Sequence, residues 1–307
     1  MLKKGLFACA ILLCLFPSWP PPLALALGLA FGIAGANPWR AASSRLSRGL
    51  LKWSIVGLGF GMDLHTVIET GRTSYIYTGI GITIAMTGGL LLGRLLRVPF
   101  KTAFLIAAGT SICGGSAIAA TRTVLDASEE ETAVSLTTVF VLNSIALLVF
   151  PLVGAAAHLT QPQFGLWAAL AIHDTSSVVG AGLRYGPIAL LVGTTVKLVR
   201  ALWIVPLTLF TAAWLRSRAK TAWPWFIGLF LLAAWLHTAY PSIAGASRGI
   251  AAAARCGFTL TLFLIGAGLS WQGLQRVGWR ALLQGVVLWV VIATTTLIAI
   301  RQGLIAL

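Results

Sequence analysis

The 307 residues are 58% hydrophobic and only 9% charged, with a mean hydropathy of +0.92, where soluble domains carry about a quarter charged residues. That composition excludes a soluble globular class and predicts a polytopic membrane protein. The net charge of +15 does not point to a nucleic-acid partner, because the basic residues sit in short clusters between apolar runs and no soluble stretch is long enough to fold around a duplex.

The chain opens with Lys3-Lys4 and a short apolar run, a pattern shared with secretory signal peptides. Pro20, Pro21, Pro22 and another apolar run follow at once, so a retained first span is preferred over a cleaved signal. A second span over about 23–36 leads into a basic connector, Arg40, Arg45, Arg48 and Lys52, which the positive-inside rule puts in the cytoplasm. The third span, about 49–68, carries GLGFGMDLH (57–65) with Asp63. The fourth, about 75–96, ends at Arg94, Arg97 and Lys101.

The stretch Ala107 to Ala120, AAGTSICGGSAIAA, organises the rest. Thr110, Ser111, Ser116 and the Gly114-Gly115 pair make an unbroken helix unfavourable, and at membrane depth an opened backbone is tolerated only inside protein or beside a wet cavity. A break of this kind marks a binding site in transporters. The alternative is a glycine-packed helix contact with hydroxyls bonded to the preceding turn. The broken fifth span is expected to end near Leu125, with Asp126 and Glu129 to Glu131 outside the cell.

Span six covers about 132–157 with Asn143 in its middle. Span seven, about 165–183, contains AIHDTSS (171–177), in which His173-Asp174 and the hydroxyls of Thr175 and Ser176 loosen a second helix. His173 suits a proton shuttle and Asp174 its partner or a cation ligand. Span eight follows Gly186 and places Lys197 and Arg200 on one helical face; Arg216, Arg218 and Lys220 close it on the inside. Spans nine (about 222–239), ten (249–270, with Arg255) and eleven (281–300) finish the chain, with Arg276 and Arg280 on a cytoplasmic loop. With the N-terminus inside, only Arg72, Arg122, Arg184, Arg248 and Arg301 fall on the outer side.

The expected fold is therefore an all-α integral membrane protein of about eleven transmembrane helices, a single domain over 1–307, with discontinuous helices and inverted-repeat halves at about 23–157 and 165–307. The repeat rests on Leu58 to Met62 with Gly71 against Ile265 to Leu269 with Gly278, at a constant offset of 207 (265 − 58). A further similarity, Thr110-Ser111 against Thr175-Ser176, joins two spans expected to run in the same direction.

Cys9, Cys14, Cys113 and Cys256 lie in apolar runs without metal-ligand spacing and read as small buried hydrophobes. No cofactor is expected, and GxxxxGK[ST] does not occur. An anion site would use the N–H groups near Gly114, Gly115 and Ser116, the hydroxyls of Thr110, Ser111, Thr175 and Ser176, and the charge of Lys197 or Arg200, with His173, Asp174 and Asn143 as coupling groups. A sodium or proton antiporter using Asp174 and Asn143 is the second reading. An intramembrane enzyme built on His173-Asp174 with Ser111, Ser116 or Cys113 is the third, disfavoured because no nucleophile–base spacing is recognisable.

Four segments, GTSICGGSAIAA (109–120), EEE (129–131), GLWAALAIHDTSSVVGAG (165–182) and TVKLVRALWIVPL (195–207), occur in the order of the bacterial inner-membrane YeiH family. The chain resembles that family, whose members carry the label of sulfate exporters, from about Leu23 onward. The resemblance implies a fold related to cation/proton antiporters and to anion or bile-acid transporters, a small anion as substrate, protons or sodium as coupling ions, the bilayer as surroundings, and a homodimer as a compatible assembly. Thr121-Arg122-Thr123 departs from the family's apolar, proline-containing continuation, which puts the sulfate label in doubt.

Overall fold

The computed structural model describes residues 2–17, 19–217 and 224–306. Arg218 and Lys220, expected at the inner end of the eighth span, lie outside the described residues. No strand occurs among the described residues. Among the described residues, five stretches are long and apolar enough to cross a bilayer alone: Leu64–Leu95, Glu129–Ala156, Pro187–Leu215, Pro241–Gly268 and Trp279–Arg301. The chain divides into two compact units, Met1–Glu69 with Pro224–Gln272 and Thr70–Trp223 with Gly273–Leu307.

Helices α1 (Leu2–Cys14), α2 (Pro21–Ile33) and α3 (Arg40–Gly59) open the chain. Proline in the first turn of α2 is tolerated because that N–H needs no helical acceptor. The long α4 (Leu64–Leu95) is followed by α5 (Phe100–Ser111), α6 (Gly115–Leu125) and α7 (Glu129–Ala156). A capping box starts α7: the Ser128 N–H donates to the Glu131 carboxylate at 2.8 Å and the Glu131 N–H to the Ser128 hydroxyl at 3.1 Å. Glu129, Glu130 and Glu131 thus lie at the positive end of the α7 dipole. Thr160 and Gln163 form the same box for α8 (Gln161–Ala171). Then come α9 (Thr175–Tyr185), α10 (Pro187–Leu202), α11 (Ile204–Leu215), α12 (Trp225–Ala239), α13 (Ala244–Gly268), α14 (Trp271–Arg276) and α15 (Trp279–Arg301).

In the first unit, α13 packs against α2 and α3 through small residues. A methyl group added at Gly266 would meet the Leu25 carbonyl and the Leu29 nitrogen at 2.7 and 2.8 Å, so backbone lies on backbone. Gly57 faces Ala254, and Ser54 faces Gly257, so α3 and α13 run antiparallel. The two glycine-rich segments paired at an offset of 207 end these two helices, at Gly59 and Gly268.

In the second unit the two segments expected to be interrupted spans fold back on themselves. Lys101, in the first turn of α5, donates its ammonium to the carbonyl of Asp126, just past α6, at 2.5 Å. A straight path over those 25 residues would separate them by roughly 37 Å at 1.5 Å per residue. Likewise the rings of Phe164 in α8 and Tyr185 in α9 stack at 3.7 Å, and the Tyr185 hydroxyl donates to the Leu159 carbonyl at 2.7 Å. Each limb has 11 or 12 residues, roughly 17 Å long, about half of a ~30 Å hydrocarbon core. These are two helical hairpins, reaching about halfway into a bilayer.

The hairpins hang from opposite ends of α7. Hairpin 1 (α5–α6) returns the chain to the start of α7, and hairpin 2 (α8–α9) leaves from its end. This corrects two expectations. Arg122, Asp126 and Glu129 to Glu131 lie at the same end of the unit as Lys101, not opposite it, and the two loosened segments do not run in the same direction. Thr110-Ser111 closes α5 whereas Thr175-Ser176 opens α9, so they are not equivalent; the breaks themselves correspond at an offset of 60, Ile112 with Ile172 and Ser116 with Ser176. Behind both hairpins stands α15. Its Gln284 amide donates to the carbonyls of Gly89 at 2.9 Å and Ala103 at 3.1 Å, and the Trp167 indole donates to Ala293 at 2.9 Å.

Candidate functional site

The tips of the hairpins meet. At tip 1, α5 ends at Ser111 and Gly114 adopts φ +67°, a left-handed conformation open to glycine without strain. A side chain at Gly114 would lie 3.2 Å from the Asp174 Cβ, which puts the turn of hairpin 1 in van der Waals contact with the turn of hairpin 2. Gly114 has no side chain with which to cap α6, and the Cys113 side chain, not a carboxylate, interacts with the Ala117 N–H and the Ser116 hydroxyl in its first turn, so the dipole end of that helix has no carboxylate cap.

Tip 2 is built differently. Asp174 caps α9, accepting from the Ser176 N–H at 3.0 Å and from the Ser176 hydroxyl. Asn143, midway along α7, accepts at 3.1 Å from both the His173 and Asp174 N–H groups. The residue expected to couple ions thus holds the opened backbone of hairpin 2.

Both buried cations come from α10 and serve the carbonyl ends of the limbs. Arg200, 1% exposed, joins the two tips: its Nε donates to the Ser111 carbonyl at 2.5 Å, and one terminal nitrogen to the carbonyls of Leu170 and, at 3.2 Å, Ala169. Lys197, with no exposed surface, donates to the carbonyls of Ile172 at 2.6 Å and Ala169 at 3.3 Å. A cation at the negative end of a helix is stabilising, and more so away from water. Spacing by three residues puts the two side chains on one face of α10, and both are buried in protein.

The structure therefore gathers Thr110, Ser111, Gly114, Asn143, His173, Asp174, Thr175, Ser176, Lys197 and Arg200 around the two breaks, all buried. Gly115 is half-buried and Ser116 exposed. The Ser111 hydroxyl bonds back to Ala108 at 3.2 Å. Six buried polar atoms nearby have no hydrogen-bond partner: Thr110 Oγ1, Asn143 Nδ2, both ring nitrogens of His173, and the hydroxyls of Thr194 and Thr195. Native structures leave few such atoms without a reason. Thr194 and Thr195 were not singled out in the sequence, although Thr194 precedes Lys197 by three residues and so shares its face. Among the described residues no group of three His, Cys, Asp or Glu is placed to hold a metal ion.

Outside this region, Asp63 is exposed at the start of α4, where the Thr66 N–H at 2.9 Å holds its carboxyl below the usual carboxylate range. Arg255 is exposed on α13. Neither belongs to the hairpin tips.

Five apolar helical stretches long enough to cross a bilayer, with no strand among the described residues, define a multi-pass, all-helical membrane protein. A family model described as Conserved hypothetical protein 698 matches residues 19–285, and the chain belongs to this family, that of the UPF0324, YeiH-like membrane proteins. It is 47% identical to a UPF0324 membrane protein of Geobacter sulfurreducens, covering 98% of this chain and 97% of the relative. It is 46% identical to one of Bdellovibrio bacteriovorus, covering 98% and 95%. One from Porphyromonas gingivalis is 47% identical over 92% of this chain and 87% of its own. No solved structure matches.

Proposed function

We propose that the protein is a secondary transporter of the bacterial inner membrane that carries a small oxyanion, such as sulfate or a short sulfonate, outward by alternating access. The observation that carries this reading is the set of hydrogen-bond donors gathered at the tips. Two basic side chains, Lys197 and Arg200, satisfy the carbonyl ends of the limbs, one carboxyl group, Asp174, caps α9, and no carboxylate caps the start of α6. The tips thus bring two basic side chains and the N-terminal end of α6 together with unpartnered donors at Asn143 and Thr110, a donor set that suits an anion.

In this reading the chain makes nine crossings and two re-entrant hairpins in place of eleven full spans. The end of the second unit carrying Arg94, Arg97, Lys101, Arg122, Arg216, Arg276 and Arg280 is cytoplasmic by the positive-inside rule, against Arg72, Arg184 and Arg301 at the other. Hairpin 1 then gates the inner path and hairpin 2 the outer one, and shifting one against the other exposes the tips alternately. Protons couple through His173 or Asp174.

A sodium or proton antiporter is less well supported, because Lys197 and Arg200 occupy the freed carbonyls that a cation would use. An enzyme is also less well supported: Ser111 bonds its own helix and His173 makes no bond to a nucleophile. Uptake of labelled sulfate and short sulfonates into proteoliposomes with an imposed pH gradient tests the proposal. Flux that is lost in the Lys197→Ala/Arg200→Ala double variant supports it. Absent anion flux with sodium or proton flux present instead overturns it in favour of the antiporter.

A further inference from the structure

Opening a helix at membrane depth frees carbonyls that must be satisfied, and hard monovalent cations are one means of doing so, taken up by such oxygens together with a carboxylate. Hairpin 2 frees the carbonyls of Ala169, Leu170 and Ile172, with the Asp174 carboxylate two residues further on. The chain meets these oxygens with its own side chains, and the two cations do so differently. Arg200 is a planar fork that reaches Ser111 of tip 1 as well as Leu170 and Ala169, so it fastens one hairpin to the other. Lys197 gives its hydrogen bonds to hairpin 2, as a compact group 2.6 Å from Ile172 and 3.3 Å from Ala169, with Cys113 of tip 1 as an electrostatic neighbour and no hydrogen bond to it.

We propose that the Lys197 ammonium stands in the position where the carbonyls of Ala169 and Ile172 would otherwise take an alkali cation from water, so that the protein needs no sodium, and that removing the ammonium uncovers a sodium site. This deepens the transporter reading and rests on it for the word "needs"; the cation site itself rests only on the geometry of hairpin 2. Arg200 remains in place when Lys197 is shortened, so tip 2 keeps one donor to Ala169 and Leu170 and its link to tip 1.

The test is direct sodium binding by the purified full-length protein, read as retention of radiolabelled sodium and as the melting temperature in sodium chloride against choline chloride. Wild type and Lys197→Arg are expected to retain no sodium and to melt at the same temperature in both salts. Lys197→Ala, and Lys197→Ser with a hydroxyl in the freed space, are expected to gain saturable sodium retention and a higher melting temperature in sodium. Saturable sodium binding by the wild type overturns the proposal whatever the variants do, as does its absence from folded Lys197→Ala and Lys197→Ser. Neither readout involves anion flux. A protein that carries no sulfate yet shows the gained site would sink the transporter reading while leaving the cation position standing.

Discussion

The two hairpins have the same dimensions and opposite tips. In hairpin 1 the N-terminal end of the returning limb begins at Gly114, whose lack of a side chain both permits φ +67° and leaves the end of α6 without a carboxylate, the Cys113 side chain standing against Ser116 and Ala117 instead. In hairpin 2 the corresponding residue is Asp174, which closes α9 with its own carboxylate while Asn143 holds the turn from behind. One tip has no carboxylate at its returning helix and the other is closed by a carboxyl group and an amide from within the chain. The difference teaches that equivalent backbone breaks need not carry equivalent chemistry: in the function proposed above, hairpin 1 offers the anion-facing helix end, and hairpin 2 is the braced partner against which it closes.

The largest expected effect follows from breaking what the hairpins share. Arg200→Met removes the donor from Ser111, Leu170 and Ala169 together, and each buried carbonyl left unsatisfied costs about 1–3 kcal/mol. Thermal unfolding of the purified variant is expected to show destabilisation of several kcal/mol, with flux lost. Asn143→Ala strands two buried N–H groups of hairpin 2 and comes next, at about 2–4 kcal/mol, while Asn143→Asp keeps an acceptor and is expected to recover most of the melting temperature.

Gly114→Ala sharpens the comparison from the other side. The added methyl meets Asp174 and forces a left-handed conformation worth about 1–2 kcal/mol on a residue with a side chain. Anion flux is expected to fall far more than stability, because the tips no longer close. Asp174→Gly gives hairpin 2 the open tip of hairpin 1. Loss of a cap costs about 1 kcal/mol, and the protein is expected to fold and still bind anion, with proton coupling impaired; loss of anion binding here would return Asp174 to the centre of an antiporter. The smallest effect is expected at the base: Lys101→Ala, at a half-buried position on the edge of the unit, should change the melting temperature by no more than about 0.5 kcal/mol allows.

Where the helices open was legible in the sequence, because Gly114-Gly115 and Asp174-Thr175-Ser176 offer the backbone alternatives to a helix. How they open was not. A hairpin of two 11- or 12-residue limbs occupies the same length of chain as one crossing helix, so hydropathy reads Phe100 to Leu125 and Gln161 to Tyr185 as single spans. One signal was present: Arg122, near the end of hairpin 1, sat awkwardly on the outer side under the positive-inside rule, and folding the segment back moves it to the basic end. Lys197 and Arg200 were placed on one face by their spacing alone, but their division of labour depends on which carbonyls come within reach, which spacing does not encode. Asn143 lies 30 residues from the backbone it caps, and nothing local marks that pairing.

The most direct test of the central claim, that an anion binds at the meeting point of the tips, is the rate at which a membrane-impermeant thiol reagent modifies Ser116→Cys after replacement of the four native cysteines. The account predicts that the cysteine is modified and that sulfate or a short sulfonate slows the reaction in a saturable way, while a control cysteine at exposed Arg255 is unaffected. A modification rate indifferent to every oxyanion tried, in a protein that still folds, would contradict it.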